Sequence, residues 1–146
     1  MKTFISNSLE ETRKIAADWL QSLEGNLQNS DETAVITLSG HLGAGKTAFV
    51  KQVAKELGID EEVTSPTFVI MKMYGTKHTK WHRLVHIDAY RLEKREELEA
   101  LNWEQLVSDP HNLIMIEWPE NVGLDASREI IHLKFDIMEG KHTVSM

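Results

Sequence analysis

At 146 residues and 41% hydrophobic content, the chain has the length of one domain and enough apolar material for a single core. A formal net charge of -7 argues against a cationic grip on nucleic acid by this chain alone, so direct DNA binding is not expected and a role near RNA needs a partner; only five arginines leave little material for a phosphoryl-transfer lid. The absence of cysteine excludes disulfides and thiolate metal sites, and with no bilayer-length apolar run and no basic-then-apolar leader the chain is expected to be soluble and cytoplasmic.

Ser8-Leu9-Glu10-Glu11 has the form of a capping box, with Ser8 as N-cap and Glu11 three positions on. Ile15, Ala16, Trp19, Leu20 and Leu23 follow at helical spacing and predict an amphipathic helix lying on a core. Residues 21–32 are polar and turn-rich and read as a surface connection. Thr33 to Leu38 is rich in β-branched residues, as a buried strand is.

The run Gly40-His41-Leu42-Gly43-Ala44-Gly45-Lys46-Thr47 then spells G-x-x-x-x-G-K-T, the Walker A pattern that cradles the phosphates of a nucleoside triphosphate. Glycines let successive NH groups turn inward as a nest for phosphate oxygens, Lys46 supplies a mobile positive charge, and the Thr47 hydroxyl is placed as a Mg²⁺ ligand. Phe49, Val53, Ala54 and Leu57 continue at helical spacing to a stop at Gly58. The strand before and the helix after are the context this loop requires.

Thr64-Ser65-Pro66-Thr67-Phe68 gathers hydroxyls around a proline; its composition fits a well-made turn, and beside a phosphate loop it also fits a sensor of the γ phosphate. Phe68 to Tyr74 and Trp81 to Ile87 predict two strands of an antiparallel hairpin. His78, His82 and His86 recur every four residues, but on strand and loop this spacing does not converge side chains on a metal. Leu92 to Leu101 reads as helix, Trp103 to Val107 as a second short one ending before Pro110, and Leu113 to Ile116 as a buried strand. Glu129 to Ile137 and His142 to Ser145 predict a terminal hairpin turning at Glu139-Gly140. The expected fold is a P-loop NTPase-like α/β domain spanning 1–146, its sheet mixing parallel and antiparallel neighbours and flanked by helices.

Asp88 and Glu117 each follow an apolar run and so stand where a buried strand emerges. Such an acid either meets solvent and caps the next turn, or serves a Mg-nucleotide site; a phosphate loop in the same small domain favours the second.

Taken in order, Gly40 to Thr47, Thr64-Ser65-Pro66-Thr67-Phe68, His86-Ile87-Asp88-Ala89-Tyr90-Arg91-Leu92 and Ile116-Glu117-Trp118-Pro119 resemble the bacterial TsaE family. The resemblance runs from the first helix to the last hairpin. It implies an ATPase of tRNA N6-threonylcarbamoyladenosine (t6A37) formation that acts with TsaB and TsaD, contacts tRNA only through them, and resets the assembly between turnovers. It places ATP phosphates on His41, Leu42, Gly43, Ala44, Gly45, Lys46 and Thr47, and Mg²⁺ on Thr47 and Glu117. It further implies Lys46, Asp88 and Glu117 as catalytic, Ser65 and Thr67 in a switch-like loop, Trp118 beside the nucleotide, and nucleotide contacts near Leu9 and Lys141. The family often carries an acidic residue at position 41, threonine at 48 and arginine at 141, where this chain has His41, Ala48 and Lys141. Two other readings of the same loop are a small-molecule kinase, for which the sequence offers no arginine-rich lid, and a binding module that nucleotide controls without essential hydrolysis.

Overall fold

The computed structural model describes residues 2–124 and 130–146. Strand β1 (Thr3–Ser6) leads into helix α1 (Leu9–Asn26), β2 (Ala34–Ser39), α2 (Lys46–Glu56), β3 (Met71–Gly75) and β4 (Arg83–Asp88). The short helices α3 (Glu96–Glu99) and α4 (Trp103–Val107), β5 (Asn112–Glu117), a 3₁₀ turn (Pro119–Val122), β6 (Ile131–Met138) and β7 (Lys141–Ser145) complete the chain. The strands form one sheet in the order β1-β7-β6-β2-β5-β4-β3. Its centre, β6-β2-β5-β4, is parallel, and β3, β7 and β1 are added antiparallel.

Side-chain alternation along the central strands divides the core between two faces. Ala34, Ile36 and Leu38 of β2, Leu84 of β4 and Leu113 and Met115 of β5 pack with the buried stripes of α1 and α2. Val35, Val85, Ile87, Ile114 and Ile116 point the other way, against Leu98, Trp103, Leu106 and Val122. Edge-to-face contacts run from Trp19 to Phe49 (5.5 Å between ring centroids) and on to Phe135 (5.4 Å), tying α1, α2 and β6 together. Each such pair contributes about 0.5–1.5 kcal/mol beyond its buried area.

The start of α1 is built as its sequence predicts: the Glu11 amide donates to the Ser8 hydroxyl at 3.1 Å. The Glu11 carboxylate reaches one residue further back than a standard box and accepts from the Asn7 amide at 2.5 Å. The final hairpin turns at Glu139 and Gly140, both with positive φ (52° and 78°), the backbone of a type I′ turn. Residue Glu129, expected at the start of its first strand, lies outside the described residues.

Four elements differ from expectation. The first part of the expected surface connection at 21–32 is helical instead, since α1 continues to Asn26 with Leu23 buried. The predicted strand from Phe68 begins only at Met71, because the Pro66 carbonyl accepts from both Val69 (3.1 Å) and Ile70 (2.6 Å) and turns the chain, with Ile70 at φ 71°. Within the predicted helix Leu92 to Leu101 only Glu96–Glu99 is α-helical; the Glu97 carboxylate holds the amides of Glu93 and Lys94, at 2.6 and 3.2 Å, ahead of the first turn. Strand β1 has no counterpart in the sequence reading. It has three exposed residues in four and is held by pairing with β7 rather than by its own burial.

Candidate functional site

Parallel packing brings the carboxyl ends of β2, β4 and β5 to one edge of the sheet, where open α/β sheets place their ligands. The segment Gly40 to Thr47 leaves β2 there and enters α2, giving the strand–loop–helix context that its G-x-x-x-x-G-K-T spacing requires. Gly40 is fixed by packing: at φ 143°, a Cβ on it would overlap the Phe135 carbonyl oxygen of β6. Gly45 is fixed by conformation alone, since its φ of 106° as N-cap of α2 is rarely open to other residues, although the space beside it is free. The first amides of α2 have no partner within the helix, and the positive end of its dipole faces the same opening.

Register then sets the acids. Asp88 pairs with Glu117 across β4 and β5, and Leu38 pairs with Glu117 across β2 and β5. Glu117 lies two residues past Met115, so its side chain falls on the α2 face, where the Thr47 hydroxyl donates to both carboxylate oxygens at 3.2 and 3.1 Å. His86 Nε2 lies 2.6 Å from Glu117 Oε2. The carboxylate of Asp88 accepts from Thr67 Oγ1 at 2.7 Å and from the Tyr90 amide at 2.9 Å. Ser65 Oγ stands 2.7 Å from Thr67 Oγ1, so the hydroxyl-rich loop is tied to the site through Asp88.

Lys46 is buried, donates to the Gly40 carbonyl and holds its ammonium 3.8 Å above the Trp118 ring. Burial pushes its pKa below the ordinary 10.5, while the charges of Glu117, Glu120 and Asp88 push it back up without cancelling the shift. Trp118 itself sits in left-handed backbone (φ 60°, ψ 50°), donates its amide to Leu38 at 3.3 Å and tilts against Tyr90. A bulky residue held there is strained, and the parallel neighbour β2 and the following Pro119 turn fix it in place.

These groups line a cleft of about 630 Å³, large enough for a nucleotide. Of the residues singled out in the sequence, Leu9, Leu42, Gly43, Ala44, Gly45, Lys46, Thr47, Ser65, Thr67, Asp88, Glu117 and Trp118 line it. His41 and Lys141 do not; both are exposed beside it. His142, which the sequence reading passed over, does line the cleft, and its Nε2 lies 3.2 Å from the Gly43 carbonyl. Ser6, Asn7, Ser8, Thr12 and Ile15 also line it on the α1 side, and Phe135 of β6 lines it as well. The three evenly spaced histidines go to separate partners: His78 to Glu24, His82 to the ring of His111, and His86 to Glu117.

The chain matches the family model of threonylcarbamoyl adenosine biosynthesis protein TsaE over residues 6–144. It belongs to the TsaE family. Relatives named tRNA threonylcarbamoyladenosine biosynthesis protein TsaE include one from Rickettsia felis, 33% identical over 92% of this chain and 72% of the relative. Those from Rickettsia conorii and Treponema pallidum are 37% and 35% identical, over 91% and 74% of this chain and 70% and 76% of theirs. Among solved structures, Bacillus subtilis YdiB superposes with a TM-score of 0.69 over 98% of this chain and 82% of its own, at 24% identity, and shares the fold. All four motifs that carried the resemblance to TsaE lie within the matched range.

The donor set fits a hard divalent cation: the Thr47 hydroxyl and the Glu117 carboxylate are in contact, with the Asp88 carboxylate on the neighbouring strand, all oxygen and no sulfur. Among the described residues no helix is long and apolar enough to cross a membrane.

Proposed function

We propose that this TsaE-family chain is a Mg²⁺-dependent ATPase of tRNA t6A formation, working with TsaB and TsaD and resetting that assembly between turnovers. The observation that carries the reading is the meeting of Lys46, Thr47, Asp88 and Glu117 at the carboxyl ends of three adjacent parallel strands, beside a glycine-rich loop. The names of the relatives supply the pathway.

ATP phosphates would rest on the loop from Leu42 to Thr47, where backbone amides and the Lys46 ammonium offset their charge. Mg²⁺, held by Thr47 and Glu117, would supply Lewis-acid stabilisation of the charge that develops on the phosphate oxygens. Asp88, an acceptor at the mouth of β4, would orient the attacking water; that water bonds to the γ phosphorus as the bond to the β-bridging oxygen breaks, leaving ADP and phosphate. Arg91, a candidate stabilising cation, stacks instead on the outward-facing ring of Phe68 at 4.7 Å. Hydrolysis by the chain alone is therefore slow, and partners accelerate it. With a net charge of -7, the tRNA contact falls to those partners.

Phosphate release from ATP by the purified chain, measured with and without TsaB and TsaD, tests the proposal. Stimulation by the pair is expected, and an unchanged rate would overturn it. The bond from Thr67 to Asp88 favours one further reading, in which ATP orders the 64–68 loop for docking and hydrolysis is incidental. Asp88→Ala separates the two: intact partner binding together with intact tRNA modification would select the docking reading.

A further inference from the structure

The imidazole of His86 lies wholly inside the fold, at 0% exposure, one strand away from the acid proposed to hold Mg²⁺. Its Nε2 makes a short contact to Glu117 Oε2, at 2.6 Å, while its Nδ1 has no hydrogen-bond partner among the described residues. Among the described residues, every hydrogen bond of this ring is thus directed at one carboxylate. That is an unusual use of a buried imidazole, since an apolar residue would fill the space without leaving a ring nitrogen unpaired.

The Glu117 carboxylate has few other constraints. Thr47 approaches its two oxygens almost equally, at 3.2 and 3.1 Å, and so does not choose between them. The His86 contact does choose. It engages Oε2 and leaves Oε1, among the described residues, with Thr47 alone, fixing the rotation of a flexible three-torsion side chain at the floor of the cleft.

We infer that His86 is a positioning residue which, through its bond to Glu117 Oε2, turns Glu117 Oε1 toward the cation proposed at Thr47. The inference rests on the Mg-nucleotide reading of this site. It deepens that reading by assigning the orientation of the metal carboxylate to a side chain that touches neither nucleotide nor metal. Groups in this outer position typically change metal affinity about 10–100-fold when removed.

Two substitutions make opposite predictions for positioning and for mere packing. His86→Phe keeps the ring volume and removes the donor; His86→Gln places an amide nitrogen near the Nε2 position but fills the pocket less well. Binding of a fluorescent, non-hydrolysable ATP analogue to the full chain is measured in EDTA and across a Mg²⁺ titration. For His86→Phe, the half-saturating Mg²⁺ concentration should rise about tenfold or more, with affinity in EDTA unchanged. His86→Gln should keep most of the wild-type Mg²⁺ response. An unchanged Mg²⁺ response in His86→Phe, or equal losses in both variants, would overturn the inference. If His86→Phe does not fold, His86→Asn, whose amide is too short to reach Glu117, replaces it against His86→Gln with the same expected order. A wild-type chain that binds the analogue with no Mg²⁺ response overturns the metal-positioning role and the Mg-dependent reading together, whereas a wild-type response shared by His86→Phe overturns the positioning role alone.

Discussion

Lys46 carries a charge that the fold disfavours, because the cost of burial outweighs the attraction of three nearby carboxylates. Its pKa lies below 10.5 in the folded chain, so the unfolded chain binds the extra proton between those two values and wild-type stability rises with pH there. Relative to Lys46→Met, the wild type should be the less stable at neutral pH without nucleotide, and the gap should close as pH approaches 10.5; thermal unfolding across pH checks this. Lys46→Met should also lose stabilisation by ATP, since the same charge is the one proposed to meet the phosphates. At Asp88, whose oxygens hold Thr67 and the Tyr90 amide, Asp88→Asn should cost about a hundredfold or more in hydrolysis while leaving ATP binding within a few-fold. Single-turnover kinetics beside equilibrium binding separates the two effects. Asp88 and Glu117 were legible in the sequence because each ends an apolar run that the sheet buries. His142 was not: its contact with Gly43 spans 99 residues of chain, and nothing local to either residue announces it.

The elements owe their order to different physical sources, and legibility follows the source. Helix α1, β2, α2 and β5 carry dense apolar periodicity, and their existence could be read directly from residues 8–57 and 113–116. Strand β1 and the turn at 67–70 are made by partners distant in sequence or by carbonyl geometry, and the apolar pattern there misleads: Phe68 is 80% exposed. Capping of α1 has its own test. Ser8→Ala removes the acceptor of the Glu11 amide and should cost about 1 kcal/mol of stability, seen as a lower denaturant midpoint. The β6–β7 turn gives the opposite sign. Glu139 adopts φ 52°, which asparagine tolerates better, so Glu139→Asn should stabilise the hairpin by about 0.5 kcal/mol and raise the thermal midpoint without altering the cleft.

On the scale of the molecule, a sheet whose parallel centre is buried on both faces presents its strand ends as a rigid rim, and the residues of the candidate site collect on that rim. Depletion of the protein in its host should lower threonylcarbamoyladenosine in bulk tRNA, measured by mass spectrometry of digested nucleosides; unchanged levels would count against the pathway. The family could be read from four short motifs because each sits where the fold has little freedom: a loop between strand and helix, a proline turn and two strand ends. The tilt of Trp118 and the fold-back of Lys46 could not, since both depend on three strands meeting. Their contact also makes the molecule self-reporting. Trp19, Trp81 and Trp103 are sealed in the core, whereas Trp118 lies under a lysine ammonium at 3.8 Å, and indole emission responds to a nearby charge. Drawing that charge away toward a phosphate changes the field most at the one tryptophan it touches, so unlabelled chain should register occupancy of its own cleft as a shift in emission.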